Sequence, residues 1–494
     1  MPELQEKDKS ADKQDKGSIK DYKDFFVQTK HQATINGVTI SYTATTGTLI
    51  LKEEEENKDS KAKATMFFIA YTRDSSSSPE GRPLTFSFNG GPGSSSVWLH
   101  LGLLGPKRVI AEKDGKVVPP PYKLLNNESS ILDETDLVFI DPVSTGYSRP
   151  VDGEEWKNFY EFEKDIEVMA EFIRLYTTKF KRWSSPKFLI GESYGTTRAG
   201  ELSGYLMNKH GFFLNGIMLI SSVLNFQTIN FTVGNDLPFI LFLPTYTATA
   251  WYHNRLDGEK QKDLEKTLQE VIEFAEKEYN FALMKGTALT LEEKEIIAEK
   301  LASFTGLTKE YCLRTNLRIN IHRFAKELLR EERKTVGRLD SRFKGIDRDA
   351  AGELYEYDSS YLAIQGPYTA TFNDYVRREL QYENDLPYEI LANLYSKWRY
   401  EKQQNKFLNV GETLRQAMSQ NPFLKIFVGN GYYDLATPFF ATEYTFNHLE
   451  LDDNLTSNIT MKYYKAGHMM YVHEASLGQL KKDLVNFLKS STNQ

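Results

Sequence analysis

The sequence predicts an α/β protein whose central sheet is mostly parallel and carries helices on both faces. Short, apolar runs alternate with helical periodicity between residues 137 and 220, as in buried parallel strands joined by helical crossovers. This alternation stops near residue 225 and resumes near residue 416. The segment between is rich in amphipathic helical patterns and poor in strand signals, so we expect a helical cap inserted into one core.

The chain is predicted to have three parts. We expect a polar N-terminal tail over residues 1–29, a core formed by residues 30–224 and 416–494, and the helical cap over residues 225–415. Residues 1–20 are charged and lack the apolar segment of a signal peptide, so a disordered tail is expected. Since no apolar run reaches the ~20 residues of a membrane-spanning helix, we expect no membrane span.

Composition excludes some function classes. The chain has 494 residues, of which 40% are hydrophobic and 26% charged, as in ordinary globular proteins. The net charge of −7 argues against nucleic acid as a partner, because nucleic-acid binding usually leaves a basic footprint. A single cysteine, Cys312, excludes an internal disulfide. Its neighbours form no catalytic pattern, so we expect a small buried hydrophobic residue.

The elements before the cap each have a local signature. Residues 33–42 alternate apolar and polar side chains and are predicted as one half-buried strand. Residues 49–51 and 66–71 are predicted to pair as a hairpin, and residues 84–88 to form a strand that enters a glycine-rich loop. Residues 137–140 are fully apolar and are predicted as a short buried strand.

A helix is predicted over residues 159–180, because apolar residues recur there at intervals of three and four. The same kind of pattern predicts the remaining core elements, which are a strand at 187–190, a helix at 196–210, a strand at 216–220, a strand at 424–428, a helix at 438–449, a strand at 459–464 and a helix at 474–489. Within the cap it predicts helices at 262–281 and 316–333. Another helix begins at a capping box formed by Thr290 and Glu293.

One motif carries the strongest chemical signal. Residues 191–195 read Gly-Glu-Ser-Tyr-Gly, a G-x-S-x-G pattern between a predicted strand and a predicted helix. That context exposes the serine as a nucleophile, and the glycines permit a strained turn with close passage of neighbouring chain. Isolated matches also occur by chance in surface loops. The flanking strand and helix favour Ser193 as a catalytic nucleophile.

A serine nucleophile needs a base, and the base needs an acid that orients it. In sheets of this kind the chain order is serine, acid, histidine. Asp434 follows the first strand after the cap and His468 follows the second, so both occupy the expected places. The alternatives are His473, which we place at the start of the last helix, and Asp141, which precedes the serine and is predicted to lie in a turn.

A glycine-rich loop supplies the third part of the predicted site. Residues 89–96 read Asn-Gly-Gly-Pro-Gly-Ser-Ser-Ser, and glycines let backbone amides approach a ligand. Acyl transfer needs such donors at the developing oxyanion. We therefore predict an oxyanion hole formed by the amides of Gly91 and Tyr194. A phosphate-binding loop does not fit, because no G-K-[ST] follows; a plain tight turn is the other alternative.

Together these motifs resemble those of the serine carboxypeptidase family, peptidase family S10. The resemblance covers nearly the whole chain from about residue 30, and residues 316–343 and 366–375 are most similar to its bacterial branch. It implies an α/β-hydrolase fold with a helical cap, with no metal and no organic cofactor. It also favours a periplasmic or secreted location.

The resemblance further implies hydrolysis of C-terminal peptide bonds in a peptide or peptide-like substrate. Ser193 would form the acyl-enzyme, His468 would act as general base and then as general acid, and Asp434 would orient the imidazole. An esterase or acyltransferase with the same three residues is the nearest alternative. A scaffold protein that has lost catalysis is a further one, against which the retained motifs speak.

In this family the substrate's terminal carboxylate is bound by the asparagine and first glycine of the loop and by two glutamates. Asn89, Gly90 and Glu192 match that set, but the position of the second glutamate holds Leu103. The proline expected after the histidine motif is also absent from residues 469–472. A lone glutamate loses the push of a like charge, although burial beside Leu103 can replace it by desolvation. We expect an acid-favouring pH profile that is weaker than in the paired enzymes.

Overall fold

The computed structural model describes residues 22–53, 60–74, 81–110, 112–113 and 116–492. Residues 1–21 of the predicted tail lie outside the described residues. The first strand begins at Phe25, within the range predicted as a tail.

The strands of the described residues follow in chain order. They are β1 (Phe25–Ile35), β2 (Val38–Glu53), β3 (Lys61–Arg73), β4 (Leu84–Phe88), β5 (Lys107–Val109), β6 (Glu112–Lys113), β7 (Lys116–Val117), β8 (Leu124–Asn126), β9 (Asp136–Ile140), β10 (Arg149–Pro150), β11 (Lys187–Ser193), β12 (Gly216–Ser222), β13 (Thr335–Val336), β14 (Lys344–Gly345), β15 (Lys425–Gly431) and β16 (Ile459–Tyr464).

The α-helices are α1 (Val97–Leu99), α2 (Phe162–Lys179), α3 (Tyr194–His210), α4 (Leu237–Tyr252), α5 (Leu264–Phe274), α6 (Asn280–Lys285), α7 (Leu291–Thr305), α8 (Lys309–Arg314), α9 (Ile321–Glu327), α10 (Ser359–Arg378), α11 (Gly411–Gln420), α12 (Phe439–Asn447), α13 (Asp453–Thr456) and α14 (Glu474–Thr492). Two π-helical turns lie at His100–Leu104 and Ala275–Tyr279, and short 3₁₀ turns lie at Trp156–Phe159, Phe226–Thr228, Gly258–Gln261, Gly286–Ala288, Arg330–Glu332, Glu401–Gln403 and Met470–Val472.

The central sheet has ten strands in the order β1-β2-β3-β9-β4-β11-β12-β15-β16, with β10 paired to β3. Neighbouring strands are antiparallel along the part of the sheet ordered β1-β2-β3-β9. They are parallel along the part ordered β9-β4-β11-β12-β15-β16. The prediction of a mostly parallel sheet is therefore confirmed. Because the carboxyl ends of parallel strands meet at one edge, the loops after β4, β11, β15 and β16 come together there.

Helices cover both faces of this sheet. Successive residues of a strand point to opposite faces, and the two central residues of β11 illustrate this. Leu189 packs with Phe172 of α2 and Leu202 of α3 in one apolar cluster. Ile190 belongs to a second cluster with residues of α10 and α14, among them Phe372 and Leu480. All six are buried, so the core lies in two layers on either side of the sheet.

The segment between the adjacent strands β12 and β15, residues 223–424, is called the inserted segment below. It contains the helices α4 to α11 and, in the sheets of the described residues, only the two-residue strands β13 and β14. Its own apolar cluster includes Val271 and Leu301 and extends to Leu435 and Phe439, which follow β15. The inserted segment is therefore packed onto the core where the loop after β15 lies.

Three local predictions need correction. Residues 33–42 are not one strand, because Asn36 and Gly37 adopt φ of 49° and 75° and form the turn of a hairpin. The helix predicted at 316–333 is reduced to α9, because Leu317 has φ of 64° and the Asn320 side chain caps the helix after it. The helix predicted at 262–281 is interrupted by the π turn. The capping box of Thr290 is confirmed.

Among the helices of the described residues, none combines the length and the apolar character that crossing a bilayer requires.

Candidate active site

The serine of the G-x-S-x-G motif lies on a sharp turn between a strand and a helix. Ser193 is the last residue of β11 and directly precedes α3, and its φ of 59° and ψ of −130° are strained for a residue with a side chain. A Cβ on Gly191 would lie 2.2 Å from the carbonyl oxygen of Gly195, so the turn requires glycine there. The predicted strand, strained turn and helix are confirmed.

The predicted acid and base are in direct contact. His468 Nδ1 lies 2.7 Å from Asp434 Oδ2, and both side chains are buried. The amides of Ala436 and Thr437 donate to Asp434 Oδ1, and the hydroxyl of Thr437 donates to its Oδ2. A carboxylate held by these donors keeps a fixed orientation. It can therefore hold the imidazole with Nδ1 protonated and Nε2 free to accept a proton.

The backbone of His468 is fixed on both sides. Its amide donates to the carbonyl of Leu339 in the inserted segment at 2.7 Å, and its carbonyl accepts from the hydroxyl of Ser221 at 2.6 Å. Burial favours the neutral ring, but the hydrogen-bonded carboxylate of Asp434 and the nearby carboxyl of Glu192 outweigh it. The pKa of His468 is therefore raised above its ordinary value.

Ser193 and His468 line one cavity of about 460 Å³. The hydrogen bonds of the described residues do not include one between the hydroxyl of Ser193 and the ring of His468. Catalytic hydrogen bonds are often long without substrate, so this does not separate the pair. The structure thus brings all three predicted residues to one place, with the Asp434–His468 contact already made.

The glycine-rich loop after β4 passes directly over the start of α3. A Cβ on Gly90 would lie 2.4 Å from the backbone nitrogen of Tyr194, so no other residue fits there. Gly91 has φ of 105° and lines the cavity. Tyr194 is the first residue of α3, and the first amides of a helix have no acceptor within it. Backbone donors are therefore available beside Ser193.

Two buried carboxylates hold this loop, Asp165 through Arg198 and Asp141 by direct contact. Arg198 of α3 forms a two-point ion pair with Asp165 of α2, at 2.8 and 3.2 Å, and donates to the carbonyl of Asn89. Asp141 Oδ1 accepts from both the amide and the hydroxyl of Ser96 at 2.8 Å. The rival acid of the sequence analysis thus contacts the glycine loop, whereas the ring of His468 is bound by a different carboxylate.

Glu192 lines the cavity and is 3% exposed. Asn89 Nδ2 donates to its Oε1 at 3.0 Å, and the hydroxyl of Tyr471 donates to its Oε2 at 2.6 Å. Burial raises its pKa to about 7, against the lowering effects of the His468 charge and of these donors. Leu103 is fully buried in the π turn after α1.

Sequence reasoning missed Tyr471 and Arg338. Tyr471 lies in the segment from which the expected proline is absent, and that departure is the signal that could have identified it. Arg338 lines the cavity from the inserted segment, and we find no local pattern in the sequence that marks it. His473, the rival base, contacts the hydroxyl of Ser476 at the start of α14, as predicted for a residue at that helix start.

The order of the sheet and the position of the serine turn define an α/β-hydrolase fold, as predicted. The crystal structure of the prohormone-processing carboxypeptidase Kex1(delta)p from Saccharomyces cerevisiae superposes on 91% of this chain and 91% of that one. The TM-score is 0.56 at 19% sequence identity.

The chain belongs to the serine carboxypeptidase family, whose family model matches residues 54–487. It is 31% identical over 173 residues to the pheromone-processing carboxypeptidase KEX1 of Saccharomyces cerevisiae. It is 28% identical over 205 residues to the carboxypeptidase Y homolog A of Paracoccidioides lutzii. These matches cover 34% and 40% of this chain but only 22% and 32% of the two relatives.

Proposed function

We propose that the protein is a serine carboxypeptidase that removes residues from the C-terminus of peptides. One observation carries the proposal. His468 is held by buried Asp434 at 2.7 Å and lines the same cavity as a serine on a strained turn at positive φ. Membership of the serine carboxypeptidase family agrees with this function.

In the proposed reaction, the Ser193 hydroxyl attacks the carbonyl carbon of the last peptide bond. Its proton passes to Nε2 of His468, and Asp434 stabilises the imidazolium through the Nδ1 proton. The amides of Gly91 and Tyr194 stabilise the oxyanion. His468 then returns the proton to the leaving amine, which departs as the C-terminal residue. Water attacks the acyl-enzyme by the same route, which releases the shortened peptide and restores Ser193.

We assign recognition of the terminal carboxylate to Asn89, Gly90 and Glu192. Glu192 is neutral below about pH 7 and can then donate a hydrogen bond to a carboxylate, whereas its charged form repels one. Asn89 is already oriented, because its Oδ1 accepts from the amide of Leu99 and its Nδ2 donates to Glu192. The site therefore favours a substrate that ends in a free carboxylate.

We also propose the division into a core of residues 30–224 and 416–494 and a cap of residues 225–415. Support comes from the packing of the inserted segment onto the loop after β15. Assignment to the bacterial branch of the family is likewise a proposal, supported by the similarity of residues 316–343 and 366–375.

Digestion of a peptide library followed by mass spectrometry tests the function. We expect products that shorten one residue at a time from the C-terminus, and no cleavage of peptides with an amidated end. Ser193→Ala should abolish cleavage and labelling by a fluorophosphonate probe. Ser490→Ala, a change at an exposed serine of α14, should preserve both.

Three results would contradict the proposal. Hydrolysis of esters without peptide release would indicate an esterase or acyltransferase. Absence of probe labelling in the wild-type protein would indicate a chain without catalysis. Cleavage within peptides would refute exopeptidase recognition while leaving the serine mechanism intact.

A further inference from the structure

Arg338 is a cation that lines the cavity of the predicted active site. It lies two residues after β13, in the inserted segment, and is half-buried. Among the described residues, its guanidinium makes no hydrogen bond or ion pair. Of the described residues that line this cavity, it is also the only lysine or arginine. Its charge lowers the pKa of His468, which places it near the predicted base.

The backbone fixes Arg338 against the site. Its carbonyl accepts from the amide of Leu435 at 3.1 Å, one residue after the predicted acid. Its amide donates to Asp358 at 3.0 Å, and the next residue, Leu339, accepts from the amide of His468. The position of this arginine is therefore coupled to both loops that carry the acid and the base.

The nearby carboxyl groups do not neutralise it. Asp358 also lines the cavity, but its Oδ1 accepts from the amides of Arg338 and Ser360 and from the Ser360 hydroxyl. Its carboxylate makes no ion pair with the guanidinium. Glu192 is bound by Asn89 and Tyr471. A guanidinium that has no acceptor among the described residues can present two parallel donors to the carboxylate of a ligand in the cavity.

We propose that Arg338 binds the carboxylate side chain of an aspartate or glutamate in the substrate, at one of the two residues that flank the scissile bond. This inference rests on the proposed function. It assigns Arg338 a role in specificity, separate from the terminal carboxylate that we assign to Glu192. Trp98, Tyr361 and Met469 supply apolar walls for the stem of such a side chain.

The test uses blocked dipeptides that carry glutamate or glutamine at the C-terminal residue or at the residue before it. The measured quantity is the ratio of kcat/KM for glutamate to that for glutamine at each position. We expect the wild-type ratio to exceed ten at one position, and that position tells which residue Arg338 contacts. Arg338→Met should lower this ratio about tenfold. The ratio is the informative quantity, because the loss of the Arg338 charge also alters the pKa of His468 and that change affects the glutamate and glutamine peptides alike.

Two further variants separate charge from folding. Arg338→Lys keeps the charge without the two-point geometry and should retain part of the preference. Arg378→Met removes one positive charge from an exposed residue at the far end of α10, so it should leave every ratio unchanged.

Failure of this inference is distinguishable from failure of the proposed function. Cleavage of the glutamine peptides with equal glutamate ratios in wild type and Arg338→Met would refute the inference alone. An equal loss for all peptides would also refute it, since Arg338 would then bind the terminal carboxylate or support the loops. Absence of cleavage by the wild-type protein would refute both.

Discussion

Replacing the buried carboxyl of Glu192 with an amide of the same shape should change how stability depends on pH. Glutamate ordinarily has a pKa of 4.5, and burial raises the pKa of Glu192 to about 7 in the folded protein. Below pH 4.5 the side chain is neutral in both the folded and the unfolded states, so it adds no pH dependence. Between pH 4.5 and 7 only the unfolded state releases the proton, so folding becomes less favourable as pH rises.

The size of this effect follows from the two pKa values. Each unit of pKa corresponds to 1.36 kcal/mol, so the change from 4.5 to about 7 costs about 3 kcal/mol of folding free energy above pH 7. Glu192→Gln removes that cost. It also places an amide nitrogen against one of the two donors, Asn89 or Tyr471, at a pH-independent cost of about 1 kcal/mol.

Thermal unfolding of both proteins from pH 4 to pH 8.5 measures the difference. A chain of this length gains about 1 kcal/mol/K of unfolding entropy, so the relative Tm of Glu192→Gln should rise by about 3 °C between pH 4.5 and 8. The comparison across pH cancels the constant cost of the lost hydrogen bond. A matched kinetic assay should find that KM for a blocked dipeptide loses its rise near pH 7.

Glu201→Gln is the control for the kinetic assay. Glu201 lies on α3, is half-buried, and is hydrogen-bonded by Thr413, so its replacement should leave the pH dependence of KM unchanged. A Tm difference between Glu192→Gln and wild type that stays constant with pH would show that Glu192 is already ionised near pH 4.5. The proposed hydrogen bond from a neutral Glu192 to the substrate would then be refuted.

Three other substitutions test neighbouring contacts. Tyr471→Phe removes a donor that stabilises the charged form of Glu192, so the rise of KM should move to higher pH; a move to lower pH would contradict this assignment. Asp434→Asn should lower kcat by about 10³- to 10⁴-fold through the wrong imidazole tautomer, with little change in Tm; retained kcat would exclude it as the orienting acid. Arg198→Met leaves Asp165 buried without its partner and should destabilise the fold by about 3–5 kcal/mol, measured by denaturant unfolding; an unchanged midpoint would refute this.

Much of the fold is predictable from the sequence because parallel strands are buried on both faces. The strand at 459–464 matches β16, and the helix at 474 begins where α14 begins. The N-terminal hairpin shows where the alternation of apolar and polar residues fails to predict the structure. Apolar and polar residues alternate through the turn at Asn36 and Gly37, so the pattern gives one strand where the chain reverses direction.

The candidate site likewise has residues that the sequence predicts and residues that it does not predict. Asp434 and His468 can be located from the sequence because their order and their places after strands are local features. Tyr471 contacts Glu192 across 279 residues, and no pattern within either segment specifies that contact. Arg338 is likewise positioned by backbone hydrogen bonds to the loops after β15 and β16. Both contacts join segments that are far apart in the chain, and periodicity does not determine which distant segments meet.

Glu192 and His468 influence each other's ionisation, and this coupling determines which protonation state is active. A charged Glu192 raises the pKa of His468, and a charged His468 lowers the pKa of Glu192. When the pair holds one proton, catalysis needs that proton on Glu192, because the carboxyl must be neutral and the imidazole must be free to act as a base. The pair therefore titrates as a unit, and its two apparent pKa values bound the active range. Glu192→Gln removes the charge that favours imidazolium, so the acid limb of kcat should move to lower pH. An acid limb that stays in place or moves upward would show that the two groups are not coupled.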